Sequence, residues 1–136
     1  MRAWTNGRAT LVGRGNPLSA GAYLDPPARS PQGGAWALVS RAAGGPGLCA
    51  EDGAVTTARM QWDVYSEDEH AAELAAAALA SQVETLTGLP QPCGDALGTV
   101  LLVHDNLAGP VFTPMPTDGG EPFCFQVQAD LVLTQT

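Results

Sequence analysis

Two long stretches of alternating hydrophobic and polar positions mark the strands around which the chain is organised. After Thr56 the even positions are hydrophobic as far as residue 64, namely Ala58, Met60, Trp62 and Val64, and the odd positions are mostly polar. A period of two is that of a strand with one buried face. Residues 123–134 repeat the pattern, with every odd position hydrophobic. Both stretches are predicted to be β-strands that bury one face.

The period changes to that of a helix directly after the first of these strands. Ser66 is placed to cap a helix, because Glu69 follows three residues later and the two residues between them are acidic, as suits the positive end of the helix dipole. An alanine-rich segment with high helix propensity then runs to Leu86, beyond which glycine and proline stop it. The prediction is one helix over residues 66–86.

Two further strands complete a sheet. Residues 35–41 precede a glycine-rich turn and are predicted to pair antiparallel with residues 55–65, and residues 99–105 are predicted to pair with the final strand. The fold class is therefore α+β: a four-stranded, largely antiparallel sheet in ββαββ order with one long helix packed on a face. Residues 1–34 are rich in Gly and Pro and are predicted to form an irregular N-terminal arm, which leaves a single domain over residues 35–136.

The charge balance excludes one class of function. Fourteen Asp and Glu residues stand against six arginines and no lysine, giving a net charge of −8. Such a chain repels a phosphate backbone, so sequence-specific binding of nucleic acid is not expected. No hydrophobic run approaches the length that spans a membrane, and the first residues do not have the pattern of a secretory signal. The expectation is a soluble protein made in a cytosol, in which Cys49, Cys93 and Cys124 stay reduced.

Chemistry-bearing motifs are missing from the sequence. His70 and Glu73 are three positions apart on the predicted helix, but a metal site needs further ligands and none is near in sequence. His104 and Asp105 are neighbours in a strand, so their side chains point to opposite faces. No nucleophile elbow, phosphate-binding loop or metalloprotease motif occurs. We therefore predict that the chain is not an enzyme and uses no metal or cofactor.

The order and spacing of the predicted elements resemble those of a known protein family. A strand ends in Arg41 with Gly44-Gly45 after it, an acidic turn at Glu51-Asp52 precedes the strand that leads to the alanine-rich helix, and a Gly109-Pro110 step precedes the alternating final strand. This arrangement resembles the tail terminator family of long-tailed bacteriophages, of the actinobacteriophage type. Members of that family open with a helix, whereas the arm of this chain has no helical pattern.

The resemblance implies a structural role. Such a protein forms a ring, a homohexamer, that caps the tail tube, stops its polymerisation and joins it to the head. Its partners are further copies of itself, the tail tube protein and the head-completion or stopper protein, and genomic DNA passes through the lumen without specific binding. It is assembled in the host cytoplasm, lies at the head-tail junction of the virion and has no membrane partner. The alternatives are another neck component, a stopper or adaptor, or a small acidic domain that docks a protein at a sheet edge.

Subunit contacts in such a ring are expected from the sheet edges and from one face of the helix, where small side chains allow close approach. The helix residues predicted for this interface are Ala72, Ala76, Leu79, Ala80 and Val83. Two loops are predicted to touch the tube or the connector, and the third strand is expected to continue weakly through Val111 and Phe112 into the second of them. The candidate loop residues are Gly44, Gly45, Glu51, Asp52, Pro110, Phe112, Met115 and Asp118. The arm also has hydrophobic residues for docking on a neighbour, which are Trp4, Leu11, Leu18, Tyr23 and Leu24.

Overall fold

A computed structural model of the chain describes ten segments of it. They are residues 5–8, 10–13, 15–27, 31, 34–41, 55–85, 91–92, 99–103, 108–113 and 123–134. The strands within them are β1 (Ala22–Tyr23), β2 (Trp36–Arg41), β3 (Val55–Ser66), β4 (Gln91–Pro92), β5 (Thr99–Val103), β6 (Ala108–Thr113) and β7 (Phe123–Thr134). The helix α1 is Glu69–Glu84 and lies between β3 and β4 in the chain. The fold is α+β, as predicted.

All seven described strands belong to one sheet. Its order is β1-β2-β3-β7-β5-β4, and β6 pairs with a different part of β7. Every pairing is antiparallel except that of β1 with β2. The centre is the pair β3 and β7, which are in register over twelve residues, from Val55 opposite Thr134 to Ser66 opposite Phe123. The two antiparallel pairings predicted from the sequence, β2 with β3 and β5 with β7, are confirmed.

The sheet has more strands than the four predicted, and the length of β7 explains the most substantial addition. A strand of twelve residues extends about 40 Å at roughly 3.3 Å per residue, which is more than one short neighbour covers. β5 pairs with its C-terminal end, as far as Leu131, and β6 pairs with its N-terminal half, from Gln128 to Cys124. Pro110 lies inside β6, an edge strand within the described residues, where a missing N–H is tolerated.

The alternating pattern of the sequence correctly predicts which side chains lie on each face of the sheet. One face carries Met60, Trp62 and Val64 of β3 together with Phe125, Val127, Ala129 and Leu131 of β7, all 7% exposed or less. α1 packs on this face and contributes Ala72, Ala75, Ala76, Leu79, Ala80 and Val83 to the same core. Small alanine side chains let the helix lie close to the sheet, so that one helix covers much of the central strand pair.

The described part of the N-terminal arm packs into this core instead of extending away from it. Leu11 and Leu18 are fully buried in the core cluster. The indole Nε1 of Trp62 donates a hydrogen bond to Thr5 Oγ1 at 3.2 Å, and the Asn6 side chain bonds both the N–H and the C=O of Ala22 at 2.8 and 3.1 Å. The arm anchors Leu11 and Leu18 therefore dock on their own chain. Trp4 lies outside the described residues.

The cap of α1 is not the residue that the sequence predicted. Ser66 remains paired in β3, opposite Phe123, and its hydroxyl accepts a hydrogen bond from the Asp68 N–H at 3.2 Å. Asp68 is the cap: its backbone is extended and its Oδ1 accepts from the His70 N–H at 3.2 Å. The capping-box prediction was wrong because the strand extends one residue further than predicted, through Ser66, and the cap therefore lies two residues later in the chain. The helix ends at Glu84, two residues before the predicted end at Leu86, and Thr85 is its C-terminal cap.

Replacing Asp68 with alanine is expected to lower the free energy of unfolding by about 1 kcal/mol, the usual cost of losing a capping side chain. The measurement is urea denaturation followed by circular dichroism. Glu67→Ala is the matched control, because it removes the same charge next to the cap from an exposed side chain. An equal loss in both variants would show that charge, and not the hydrogen bond to His70, is what stabilises the start of α1.

Candidate functional site

The five helix residues predicted as a subunit interface belong to the chain's own core. Ala72, Ala76, Leu79 and Val83 are 0% exposed, and Ala80 is 9% exposed. They face the sheet because the hydrophobic positions of β3 and β7 need a cover and α1 supplies it. Side chains in this position cannot contact a second subunit, so the prediction was wrong. The exposed side chains of α1 are Glu69, His70, Glu73, Leu74, Ala77, Ser81 and Glu84.

The candidate loop residues divide into two groups. Six of them lie outside the described residues, namely Gly44, Gly45, Glu51, Asp52, Met115 and Asp118. The other two, Pro110 and Phe112, lie on the edge strand β6 and are exposed. The weak strand expected through Val111 and Phe112 is therefore present, and these two candidates belong to a sheet edge instead of a loop.

Three large hydrophobic side chains are exposed around this edge, and we call Val111, Phe112 and Phe123 the edge patch. Their exposed fractions are 55%, 46% and 38%. Phe112 is opposite Phe125, and the two ring centroids are 5.4 Å apart at an interplanar angle of 63°, so Phe112 lies on the face that α1 covers. Val111 is opposite Gln126 and lies on the other face. The patch therefore extends around the edge of the sheet, and β6 itself contains no charged residue.

The sheet face away from α1 carries a closed hydrogen-bonded ring of four side chains from β3 and β7. Gln128 Nε2 donates to Gln61 Oε1 at 2.9 Å and to Gln126 Oε1 at 3.3 Å. Gln61 Nε2 then donates to both carboxylate oxygens of Asp63 at 3.0 Å, and Gln126 Nε2 donates to Asp63 Oδ1 at 3.3 Å. All four residues are partly buried. The amides are thereby used to hold one carboxylate and to fix the register of the central strands.

An ion pair continues this polar face by one step along the strands. Arg59 is opposite Asp130, and its Nε and Nη2 donate to the two carboxylate oxygens at 2.9 and 3.3 Å. The Asp130 side chain is 1% exposed and that of Arg59 is 30% exposed. The hydrogen bond and the charge of Asp130 raise the pKa of Arg59. The buried carboxylate is thus neutralised within the sheet, which makes this a structural pair.

The other end of the same face is aromatic and holds a thiol. Trp36 stacks on Tyr65 with centroids 4.6 Å apart, and Tyr23 meets Trp36 edge to face at 6.1 Å. Cys124 is opposite Tyr65, and burial, followed by the charge of Asp63, raises the pKa of Cys124 to about 11. Burial also raises the pKa of Tyr65, with smaller contributions from Cys124 and Asp63. Both groups are protonated at neutral pH, so neither is an activated nucleophile there.

The described residues therefore offer two surfaces of different kinds. The polar face is satisfied by its own hydrogen bonds, and no described group of three or more His, Cys, Asp or Glu side chains is arranged to hold a metal ion. The edge patch is exposed and hydrophobic, which suits contact with another protein.

Among the residues that the structure describes, no helix combines the length and the hydrophobicity of a membrane span. Compared with protein-family models, with curated proteins and with solved structures, the chain matches none of them.

Proposed function

We propose that the chain is a structural protein of a bacteriophage virion, a tail terminator whose ring caps the tail tube, stops its polymerisation and joins it to the head. The observation that carries the proposal is the edge patch, whose three hydrophobic side chains are 38% to 55% exposed at one edge of the sheet. Exposed hydrophobic groups that lie together favour contact with another protein. The order of the elements along the sequence, which resembles that of tail terminators, supports the tail as the place of assembly.

The net charge of the chain also favours the edge patch as the place of contact. The chain has a net charge of −8, so copies brought together by their acidic surfaces would repel one another. β6 has no charged residue, so two copies that meet through this strand do not bring like charges of the strand together. The ring is proposed as a homohexamer that meets the tail tube protein on one side and a head-completion or stopper protein on the other. DNA passes through its lumen without specific binding, since like charges repel.

The sheet edge takes the role that the buried helix face cannot have. An edge strand offers backbone N–H and C=O groups as well as side chains, and natural proteins leave such an edge hydrophobic where they use it for assembly. Within the described residues β6 pairs on one side only, with β7. Subunit or tube contacts through β6 therefore need no rearrangement of the core that α1 and the sheet share.

The proposal is tested by the mass of the purified protein and by its effect on tube growth. We expect light scattering to give several times the 14.0 kDa chain mass, or electron microscopy to show capped tubes that stop lengthening when the protein is added. Val111→Glu, which places a charge in the edge patch, is expected to weaken capping roughly tenfold or more, as about 1.4 kcal/mol of lost contact energy would do.

Ala77→Glu is the matched control for this experiment, because Ala77 is exposed on α1, outside the edge patch. It adds the same charge at another exposed hydrophobic position, and capping should persist. A wild-type protein that stays monomeric and neither binds tubes nor changes their length would overturn the proposal.

A second candidate function uses the same open edge. A small acidic domain that takes a partner peptide as an added strand on β6 would also leave this edge strand uncharged. Such a domain is monomeric until its peptide is added and has no effect on tube length. The mass and tube measurements therefore separate the two functions directly.

A further inference from the structure

We propose that Phe112 of one copy inserts into a pocket between the N-terminal arm and α1 of the next copy, so that the copies associate head to tail. The inference rests on the proposed function, because it names the partner of the edge patch within the ring. It also assigns a receiving surface on the far side of α1, which the edge patch alone does not specify.

The receiving pocket has a volume of about 330 Å³. A cavity of about 150 Å³ is enough to hold a benzene ring, so the pocket can admit the side chain of a phenylalanine. Leu74, which is 54% exposed, lies at its surface. Residues of the arm, the residues just before β2 and the first turns of α1 line it, among them Asn16, Pro17, Gly34, Ala35, Ala71 and Leu74.

Hydrogen bonds and close packing hold the arm wall of the pocket in place. The Leu18 N–H donates to Leu11 C=O at 2.7 Å, and the Ala20 N–H donates to Ala35 C=O at 3.1 Å. Gly34 has φ +140° and lies so close to Ser19 that a Cβ there would collide with the serine side chain. The buried side chain of Leu18 ties the same segment to the core. The pocket is therefore formed before any partner arrives, so a side chain that binds there causes little further loss of conformational entropy in the pocket.

The pocket and Phe112 both lie on the face of the sheet that α1 covers, but on opposite sides of α1. Phe112 shares the face of Phe125, which α1 covers, and projects at the β6 edge. The pocket is bounded by Ala71 and Leu74 of α1 and by Ala35, which leads into β2 on the other side of the sheet. Within one chain, β3 and β7 separate Phe112 on β6 from the β2 side of the sheet, where the pocket lies. Two different surfaces that fit one another make a heterologous contact, which is the kind that closes into a ring.

Charge favours a second copy of this chain as the occupant. The described residues that line the pocket are uncharged, and so is the whole of β6. The exposed face of α1 carries Glu69, Glu73 and Glu84. Two chains of net charge −8 can therefore meet through this pair of surfaces without burying a carboxylate, which contact through the outer face of α1 would require.

The test uses one variant on each surface and then mixes them. Phe112→Ser removes the inserting side chain, and Leu74→Glu places a charge at the pocket. Each variant alone is expected to lose self-association at least tenfold, in solution and on tubes. In an equimolar mixture the intact pocket of the Phe112→Ser copy accepts Phe112 of the Leu74→Glu copy. We expect sedimentation velocity to show a dimer of twice the 14.0 kDa chain mass and no larger species.

Ala77→Glu is the matched control for the pocket variant, because Ala77 is exposed on α1 outside the pocket lining, and it should associate as the wild type does. Ala71→Trp fills the pocket without touching β6 and repeats the pocket side of the test should Leu74→Glu fail to fold, as judged by circular dichroism. Folded variants that mix without forming a dimer, or a Leu74→Glu protein that associates normally, would overturn the head-to-tail contact. Tube capping by the wild type would then leave the proposed function standing, and its absence would overturn both.

Discussion

Replacing Trp62 with alanine is expected to lower the free energy of unfolding by about 3–5 kcal/mol, the cost of deleting a large aromatic side chain from a packed core. Trp62 is 0% exposed and is the largest of the fully buried side chains. It lies on β3 opposite Val127, at the centre of the strand pair on which the sheet is built. Its indole also reaches the arm through the hydrogen bond to Thr5. The substitution therefore leaves a cavity in the core, and it also removes a hydrogen bond that holds the arm.

Two companion variants separate these effects in urea denaturation. Trp62→Phe keeps most of the ring volume and removes the hydrogen bond to Thr5, and it should cost about 1–2 kcal/mol. Leu24→Ala shortens a side chain that is 57% exposed and should change stability by less than about 0.5 kcal/mol. If Trp62→Ala were as mild as Leu24→Ala, Trp62 would not be at the centre of the core.

Raising the pH from 9 to 11 is expected to lower the free energy of unfolding by about 2 kcal/mol through Cys124 alone, because its pKa is 9.0 as a free thiol and about 11 in the fold. The unfolded chain releases the thiol proton first, so alkaline conditions favour unfolding. The contribution is fully present below pH 9 and is lost by about pH 11. Tyr65, whose pKa is also raised in the fold, extends the loss above pH 10.

Cys124→Ala supplies the check on this assignment. It keeps the small buried side chain and removes the ionising group, so the fall between pH 9 and 11 should become shallower by the Cys124 contribution. The readout is the midpoint of urea unfolding at each pH. A variant with the same pH dependence as the wild type would place the alkaline sensitivity elsewhere in the chain.

The faces of the central strands could be predicted from the sequence because hydrophobic burial has a simple period. The alternation around Trp62 and Val127 indicates which side is covered, and the structure buries both side chains fully. The antiparallel pairings followed from the order of the elements. The position of the helix cap could not be predicted in the same way. Ser66 is both a good cap and a good strand residue, and only its pairing with Phe123 decides between the two.

The helix face was ambiguous for a different reason. A helix with alanine around much of its circumference has no strong hydrophobic direction, so its sequence does not indicate which alanines face the sheet. Ala72 and Ala76 are buried, whereas Ala77 is exposed. Three of the five residues predicted for a subunit interface are alanines, and small side chains suit close packing on the sheet as well as on a second subunit.

The candidate site was only partly visible in the sequence. The sequence predicts Phe112 both as part of a weak strand and as a candidate loop residue, and the structure places it on the edge strand β6. The polar ring was missed entirely. Its signal was the run of polar side chains at the odd positions of β3 and the even positions of β7, but Gln61 and Gln128 are 67 positions apart. Register between strands so distant in sequence comes from the pairing of the whole sheet.

The central position of β7 sets a limit on when the protein can begin to fold during synthesis. β3, β5 and β6 all pair with this strand, and β7 is the last element of the described chain. A ribosome must therefore release residues 123–134 before β3 gains its partner on that side. Until then the hydrophobic side of β3 lacks half of its sheet, and contacts across such a separation form slowly. Until residues 123–134 have been made, this hydrophobic side of β3 stays open to non-native contacts, the kind of exposed surface that favours aggregation.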